Sequence, residues 1–133
     1  MKRYQLEVRG GLFFTQAALK QQDSVRVVSL LIDSGATFTI VSWATLVSLN
    51  LDPAGSTARK PITTANGIVL MPEVLIERVD ALGQRVTKFP VLAHTIPLGS
   101  KVGGVLGMNF LRQFDIKLDF KQASIEIFDL SIH

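Results

Sequence analysis

The sequence predicts a mostly-β chain, closed into a small barrel and carrying one or two short helices. Three observations lead there. Short runs rich in Val, Ile, Leu and Phe recur along the chain, each bounded by Gly, Asn or Asp turn signals. Asn66-Gly67 sits between two such runs, and this dipeptide marks a hairpin because both residues tolerate positive φ. Only two segments carry helix-end signals. About seven or eight short strands at this spacing suit a small barrel.

Tyr4 to Val8 alternates and reads as the first strand, with Leu12 to Leu19 after it. Val25 to Ile32 is rich in β-branched residues and stops abruptly at Asp33-Ser34-Gly35. Ser42 is the N-cap expected for a helix over Trp43 to Leu49, which Asn50 closes in the left-handed conformation. Ile62 to Thr64 and Ile68 to Val79 flank Ala65-Asn66-Gly67, and Val86 to Ala93 adds a strand. A glycine-containing loop, Gly99 to Gly104, leads into Val105-Leu106-Gly107, after which Asn109 is the expected cap of a helix to Gln113. Phe114 to Phe120 and Ser124 to Phe128 read as strands joined by a polar turn at Lys121-Gln122. There is no internal linker or low-complexity stretch, so one domain over residues 1–133 is expected.

Composition narrows the function. A chain of 133 residues can bury roughly 65–70% of its unfolded surface without metals or disulfides. Hydrophobic residues make up 47% and the mean hydropathy is +0.33, which is apolar for so small a chain. A partner subunit covering part of that surface is one explanation. The net charge is +3, from 14 basic and 11 acidic residues. The Lys and Arg are scattered and not interleaved with aromatics, so no nucleic-acid partner is expected. The absence of cysteine excludes disulfides, zinc–thiolate sites and cysteine nucleophiles. Neither metal nor cofactor is expected. Tyr4-Gln5-Leu6-Glu7 after Met1-Lys2-Arg3 is unlike a signal peptide. No apolar run approaches the roughly 18 residues that span a bilayer. The expectation is therefore a cytoplasmic protein with no membrane partner.

The informative segment is Leu31-Ile32-Asp33-Ser34-Gly35-Ala36-Thr37. An acid after an apolar strand, followed by a hydroxyl residue and glycine, matches the aspartic-protease signature. The strand delivers the carboxylate rigidly, and Gly35 turns the chain tightly so that its N–H comes near the carboxylate. Asp-Ser-Gly alone is ordinary turn chemistry. Here it lies between Val27–Ile32 and Phe38–Val41, and an acid wedged between apolar segments is costly unless paired or used. Val105-Leu106-Gly107, before a short helix and a final strand, echoes the strand, glycine turn and helix of the first half.

On these segments, over about Val25 to Phe128, the chain resembles the retropepsin-like aspartic proteases, especially single-domain bacterial members with an Asp-Ser/Thr-Gly-Ala-Thr loop. The resemblance implies an acid-protease barrel acting as a homodimer on peptide or protein substrates. It implies a catalytic loop of Asp33, Ser34 and Gly35, with Ser34 bonding across to the partner's loop. Ala36 and Thr37 would line the substrate, and Ala65, Asn66 and Gly67 would form the tip of a flap closing over it. Viral members usually carry an acid where this chain has Thr37, so their substrate preference does not transfer. Ile32, Ile68, Leu70 and Val105 are candidate pocket residues.

Aspartic proteolysis needs two carboxylates sharing a proton across one water. Asp23, Asp52, Asp80, Asp115, Asp119 and Asp129 lack the motif and read as turn or surface residues, with Asp115 and Asp119 as structural ion-pair partners. A second Asp33 must then come from a second chain on a two-fold axis. Ala36 offers no hydroxyl to such a pair, which points to activity in mild acid. Other readings fare worse. A non-catalytic peptide-binding or dimerisation module would keep the barrel, but the intact Asp-Ser-Gly-Ala favours catalysis. A Ser34 nucleophile needs a histidine base, and only His94 and the terminal His133 exist, with no Gly-x-Ser-x-Gly elbow. Gly103-Gly104-x-x-Gly107 lacks the spacing and context of a nucleotide loop.

Overall fold

Alternating apolar residues need a shared interior, and here they find it by closing one sheet on itself. A computed structural model describes residues 1–96 and 101–128. Among the described residues there are eleven strands and two α-helices. The strands are β1 (Lys2–Gln5), β2 (Glu7–Arg9), β3 (Leu12–Gln21), β4 (Ser24–Ile32) and β5 (Ile40–Ser42). Next come α1 (Trp43–Ser48), a 3₁₀ turn (Pro53–Gly55), β6 (Arg59–Thr64), β7 (Gly67–Ala81) and β8 (Gln84–His94). Then β9 (Gly104–Leu106), α2 (Met108–Leu111), β10 (Asp115–Asp119) and β11 (Ser124–Phe128) complete the order. No helix among the described residues is long and apolar enough to cross a membrane.

The larger sheet runs β2-β3-β4-β9-β5-β8-β7-β6, and an added β3–β7 pairing closes β3 to β7 into a ring. That ring is the expected barrel, with β2 and β6 left as edges. A smaller antiparallel sheet, β1-β11-β10, holds both ends of the described chain. The sequence showed fewer strands for two reasons. The run from Tyr4 to Val8 breaks at Leu6, whose side chain is buried and whose N–H bonds to the Ala123 carbonyl at 2.8 Å. β5 and β9 are too short to carry a visible alternation.

The barrel interior is apolar. Leu30, Val41, Ile76, Leu106 and Phe110 are fully buried, and Phe110 meets Phe89 edge-on at 5.9 Å between ring centres. Each such side chain contributes about 1.5–3 kcal/mol. Several local expectations hold. Ser42 Oγ accepts the Thr45 N–H at the start of α1, and Asn50 closes it with a φ of 63°. Others need correction. Asn109 is not the cap of α2. Gly107 is, and the Asn109 side chain is spent on the neighbouring loop. The hairpin tip at Asn66-Gly67 is centred one residue earlier: Thr64 pairs with Gly67, leaving Ala65-Asn66 between, and only Gly67 has positive φ. The two-residue turns with both φ values positive are Gly10-Gly11, between β2 and β3, and Leu82-Gly83, between β7 and β8. Asp115 and Asp119 form no ion pair among the described residues. Asp119 accepts the Gln122 N–H, and the ion-paired aspartate is Asp80, near Arg78 and Arg85. Part of the expected glycine loop, Gly99 and Ser100, lies outside the described residues.

The short strand β9 is the key to the layout. It runs parallel to β4 and antiparallel to β5, so it lies between the two strands that flank the acidic loop. Its entry is tied on both sides, Gly103 N–H to the Ser29 carbonyl at 2.7 Å and Ser42 N–H to the Gly103 carbonyl at 2.9 Å. Gly104 has a φ of 155°, and a Cβ there would run into the Ile40 carbonyl. A G104A substitution is therefore expected to destabilise the fold by about 3 kcal/mol or to prevent folding, as read by urea denaturation. Wild-type stability would contradict this view of the wedge.

Candidate active site

Strand β4 carries the chain to Asp33, and the β4–β9 ladder continues one step further, with Asp33 N–H bonding the Leu106 carbonyl at 3.1 Å. The carboxylate is thus held at the end of a strand paired on both sides. Its Oδ1 accepts the Gly35 N–H at 2.8 Å, and Ala36 N–H returns to the Asp33 carbonyl at 3.2 Å, closing a tight turn. Asp33 and Ala36 are half-buried, while Ser34, Gly35 and Thr37 are exposed. The acid is fixed in direction and still open to water.

The far side of the loop is clamped by α2. Met108 N–H bonds the Ala36 carbonyl at 2.7 Å and Asn109 N–H the Thr37 carbonyl at 3.1 Å. Gly107 makes this close approach possible, since a Cβ there would fall 2.5 Å from the Phe38 oxygen and 2.8 Å from that of Ala36. A buried polar knot lies beneath. Asn109 Oδ1 accepts from the Thr39 hydroxyl at 2.7 Å and from the Thr39 N–H at 2.9 Å. The Thr39 oxygen accepts the Gly107 N–H at 3.1 Å, and Asn109 Nδ2 donates to the Pro90 carbonyl at 2.9 Å. Thr39 is 1% exposed, so each of these groups would be costly if left unpaired.

The structure gathers Asp33, Ser34, Gly35, Ala36 and Thr37 into this one loop. Ala65, Asn66 and Gly67 sit elsewhere, at the exposed tip of the β6–β7 hairpin. That tip is held by its own bonds, Thr64 Oγ1 to the Gly67 carbonyl and Asn66 N–H to Thr64 Oγ1. Among the candidate pocket residues, Ile68 and Leu70 are 72% and 61% exposed and share a hairpin face. The opposite face carries half-buried Ile62 and Val69 and buried Met71, so it is the one turned to the body of the protein. Ile32 and Val105 are half-buried on the paired strands beneath the loop. Thr39 and Asn109 were not singled out from sequence as site residues. The one signal was an Asn two residues after the Val-Leu-Gly element, and it reads equally well as a helix cap.

Neither segment that builds the site supplies a second acid: residues 34–51 and 101–114 contain no Asp or Glu. Among the described residues, no group of three or more His, Asp or Glu comes together as a metal site.

Residues 17–110 match the family model described as aspartyl protease. The chain belongs to the aspartyl protease family. As a member of this family it is expected to be a peptidase, and its fold is retropepsin-like. It is similar to the crystal structure of a retropepsin-like aspartic protease from Rickettsia conorii, with a TM-score of 0.72 and 18% identity, covering 95% of this chain and 89% of the other. At that identity the likeness is one of fold. No curated protein matches the sequence.

The knot under the loop gives a direct expectation for this protease. Replacing Asn109 by Ala removes one acceptor shared by two donors and strands both Thr39 groups. A loss of about 2–4 kcal/mol is expected by chemical denaturation. Peptidase activity per folded molecule should fall as well, because the loop loses its support. Full activity at wild-type stability would show that the clamp is dispensable.

Proposed function

We propose that this chain is one half of a homodimeric aspartic endopeptidase, in which two Asp33 carboxylates, one from each subunit, activate a single water. The observation that carries this is the lone, oriented carboxylate. Asp33 directly follows strand β4 on a loop clamped from two sides, and residues 34–51 and 101–114 supply no second acid. Two-carboxylate chemistry then requires a second copy of the loop.

The reaction follows from the charge state of such a pair. Two carboxyl groups facing each other at close range do not both ionise, so at working pH one is protonated and one is not. The ionised carboxylate takes a proton from the water as its oxygen attacks the scissile carbonyl carbon. The protonated carboxyl donates to the carbonyl oxygen as negative charge develops there. Proton transfer to the amide nitrogen then lets the C–N bond break, giving a new carboxyl and a new amine. Gly35 N–H keeps Asp33 Oδ1 in place through these steps, since it is bonded before substrate arrives. Ser34, which is exposed, would bond the partner's loop through its hydroxyl. The substrate would lie extended, its backbone near Ala36 and Thr37, beneath the Ala65–Gly67 hairpin tip. Ile62 and Val69, on the face of that hairpin turned to the body, are better suited to contact it than Ile68 or Leu70.

A digest of casein or a peptide library tests the reading. The isosteric Asp33→Asn substitution keeps an acceptor for Gly35 and is expected to lower kcat by at least about a thousandfold while leaving the fold intact. Cleavage that survives it would remove Asp33 from the chemistry. Ala36 brings no hydroxyl donor to the carboxylate pair, and donors to the charged form move such activity toward stronger acid. Maximal kcat/KM is thus expected in mild acid, falling on either side as the pair gains or loses its single proton. A maximum confined to strong acid would contradict that role for Ala36.

A further inference from the structure

Asparagine occurs at positions 50, 66 and 109 of the chain. The side-chain amide of an asparagine is open to attack by the backbone nitrogen of the next residue. That attack needs a free side chain, an unhindered following residue and a nitrogen released from hydrogen bonding. Two of the sites refuse it. After Asn50 comes the branched Leu51, whose N–H is held by the Leu46 carbonyl at 3.1 Å. After Asn109 comes Phe110, whose N–H is held by the Gly107 carbonyl at 3.1 Å. The Asn109 amide is itself spent on Thr39 and Pro90. Asn66 differs on each count. It is exposed, and its side chain makes no hydrogen bond among the described residues. The residue after it is Gly67, and beyond the chain neighbours nothing lies within 4 Å of where a Cβ would stand there. Gly67 closes the last rung of the β6–β7 ladder with Thr64, and both are exposed, so this rung opens most readily.

We infer that Asn66-Gly67 is a self-modification site that limits the working life of the hairpin tip. The Gly67 nitrogen gives up its proton and attacks Asn66 Cγ. The Cγ–Nδ2 bond breaks, ammonia leaves, and a five-membered succinimide joins the two residues. One water then opens the ring. Opening at Cγ gives an ordinary aspartate. Opening at the main-chain carbonyl gives isoaspartate, with the chain routed through Cβ and Cγ. Water is the only reagent consumed, and nothing is oxidised or reduced. Either product adds a negative charge at the tip. Isoaspartate also lengthens the main chain by one carbon, which the two-residue turn between Thr64 and Gly67 does not accommodate. The bonds that pin the tip, Thr64 Oγ1 to the Gly67 carbonyl and Asn66 N–H to Thr64 Oγ1, depend on that spacing. The functional consequence rests on the reading of this tip as the cover over substrate. There a further anionic group approaches a carboxyl pair that works with a single negative charge. A turn of altered length also loses the register that closes it. Peptidase activity therefore decays as the molecule ages.

The test ages wild type and N66Q side by side in mildly alkaline buffer at body temperature. A glutamine in this position must close a six-membered ring, which is slower, so N66Q is the resistant control. Peptide mass spectrometry follows the exchange of amide for acid at each asparagine, and enzymatic methylation counts the isoaspartate. Exchange at residue 66 is expected to be at least about tenfold faster than at 50 or 109. Ion-exchange chromatography separates converted from unconverted wild-type chains, and circular dichroism follows the fold of each fraction. The converted fraction is expected to show a kcat/KM at least about threefold below the unconverted one. N66Q, scored against its own fresh sample, should hold its activity over the same period. Exchange at residue 66 no faster than at the other two overturns the inference and leaves the two-carboxylate mechanism standing. Converted chains as active as unconverted ones overturn the limit on working life, again without touching the mechanism. Site-selective conversion in a protein whose cleavage survives Asp33→Asn keeps the modification and sinks the mechanism instead.

Discussion

The position of β9 constrains the rest of the molecule. Three residues long, it fills the gap between β4 and β5, parallel to one and antiparallel to the other. The backbone groups that the acidic loop's two flanking strands would otherwise leave unpaired are satisfied by it. The fit requires glycine. At Gly104 the carbonyl of Ile40 occupies the space a side chain would need, and at Gly107 the carbonyls of Ala36 and Phe38 do the same. Because β9 runs straight into α2, the strand that supports the loop from below is covalently joined to the helix that grips it from the side. Moving Asp33 would mean breaking ladder bonds, helix-end bonds and the Thr39–Asn109 knot together.

Much of this was legible in the sequence, and the reasons differ by element. The longer strands β3, β4, β7 and β8 announced themselves through apolar runs with turn residues between them. Asp33 stood out because an acid between two apolar segments is chemically out of place. β5 and β9 were hard to see because three residues cannot display a period. The Asn66-Gly67 dipeptide pointed to a hairpin correctly but not to its register. Thr64 supplies an oxygen to the Asn66 N–H, which favours a turn centred on Ala65-Asn66 and leaves the positive φ to Gly67. Asn109 was misread for a physical reason. A helix cap and a long-range polar knot ask for the same side chain, and only the fold brings Thr39 within reach. Asp115 and Asp119 looked like ion-pair partners by their spacing in a strand, yet their cross-strand neighbours are Phe128 and Ser124.

The same construction accounts for why one chain looks incomplete as a catalyst. The loop is fully supported from within, yet it presents one carboxylate and an exposed Ser34 toward the outside. High hydropathy in a chain of this size fits with apolar surface kept for a partner. Rigidity inside the subunit and openness at its face are complementary demands. A site assembled from two chains reaches working geometry only if each half is already fixed before they meet.

The central claim is that two chains share one site, and subunit mixing measures it most directly. Wild-type chains are mixed in increasing proportion with inactive D33N chains at constant total concentration, allowed to exchange, and assayed for cleavage. If each working site draws one carboxylate from each chain, activity should follow the square of the wild-type fraction, because mixed dimers are silent. Activity strictly proportional to the wild-type fraction would mean that a single chain holds a complete site, and the account would be wrong.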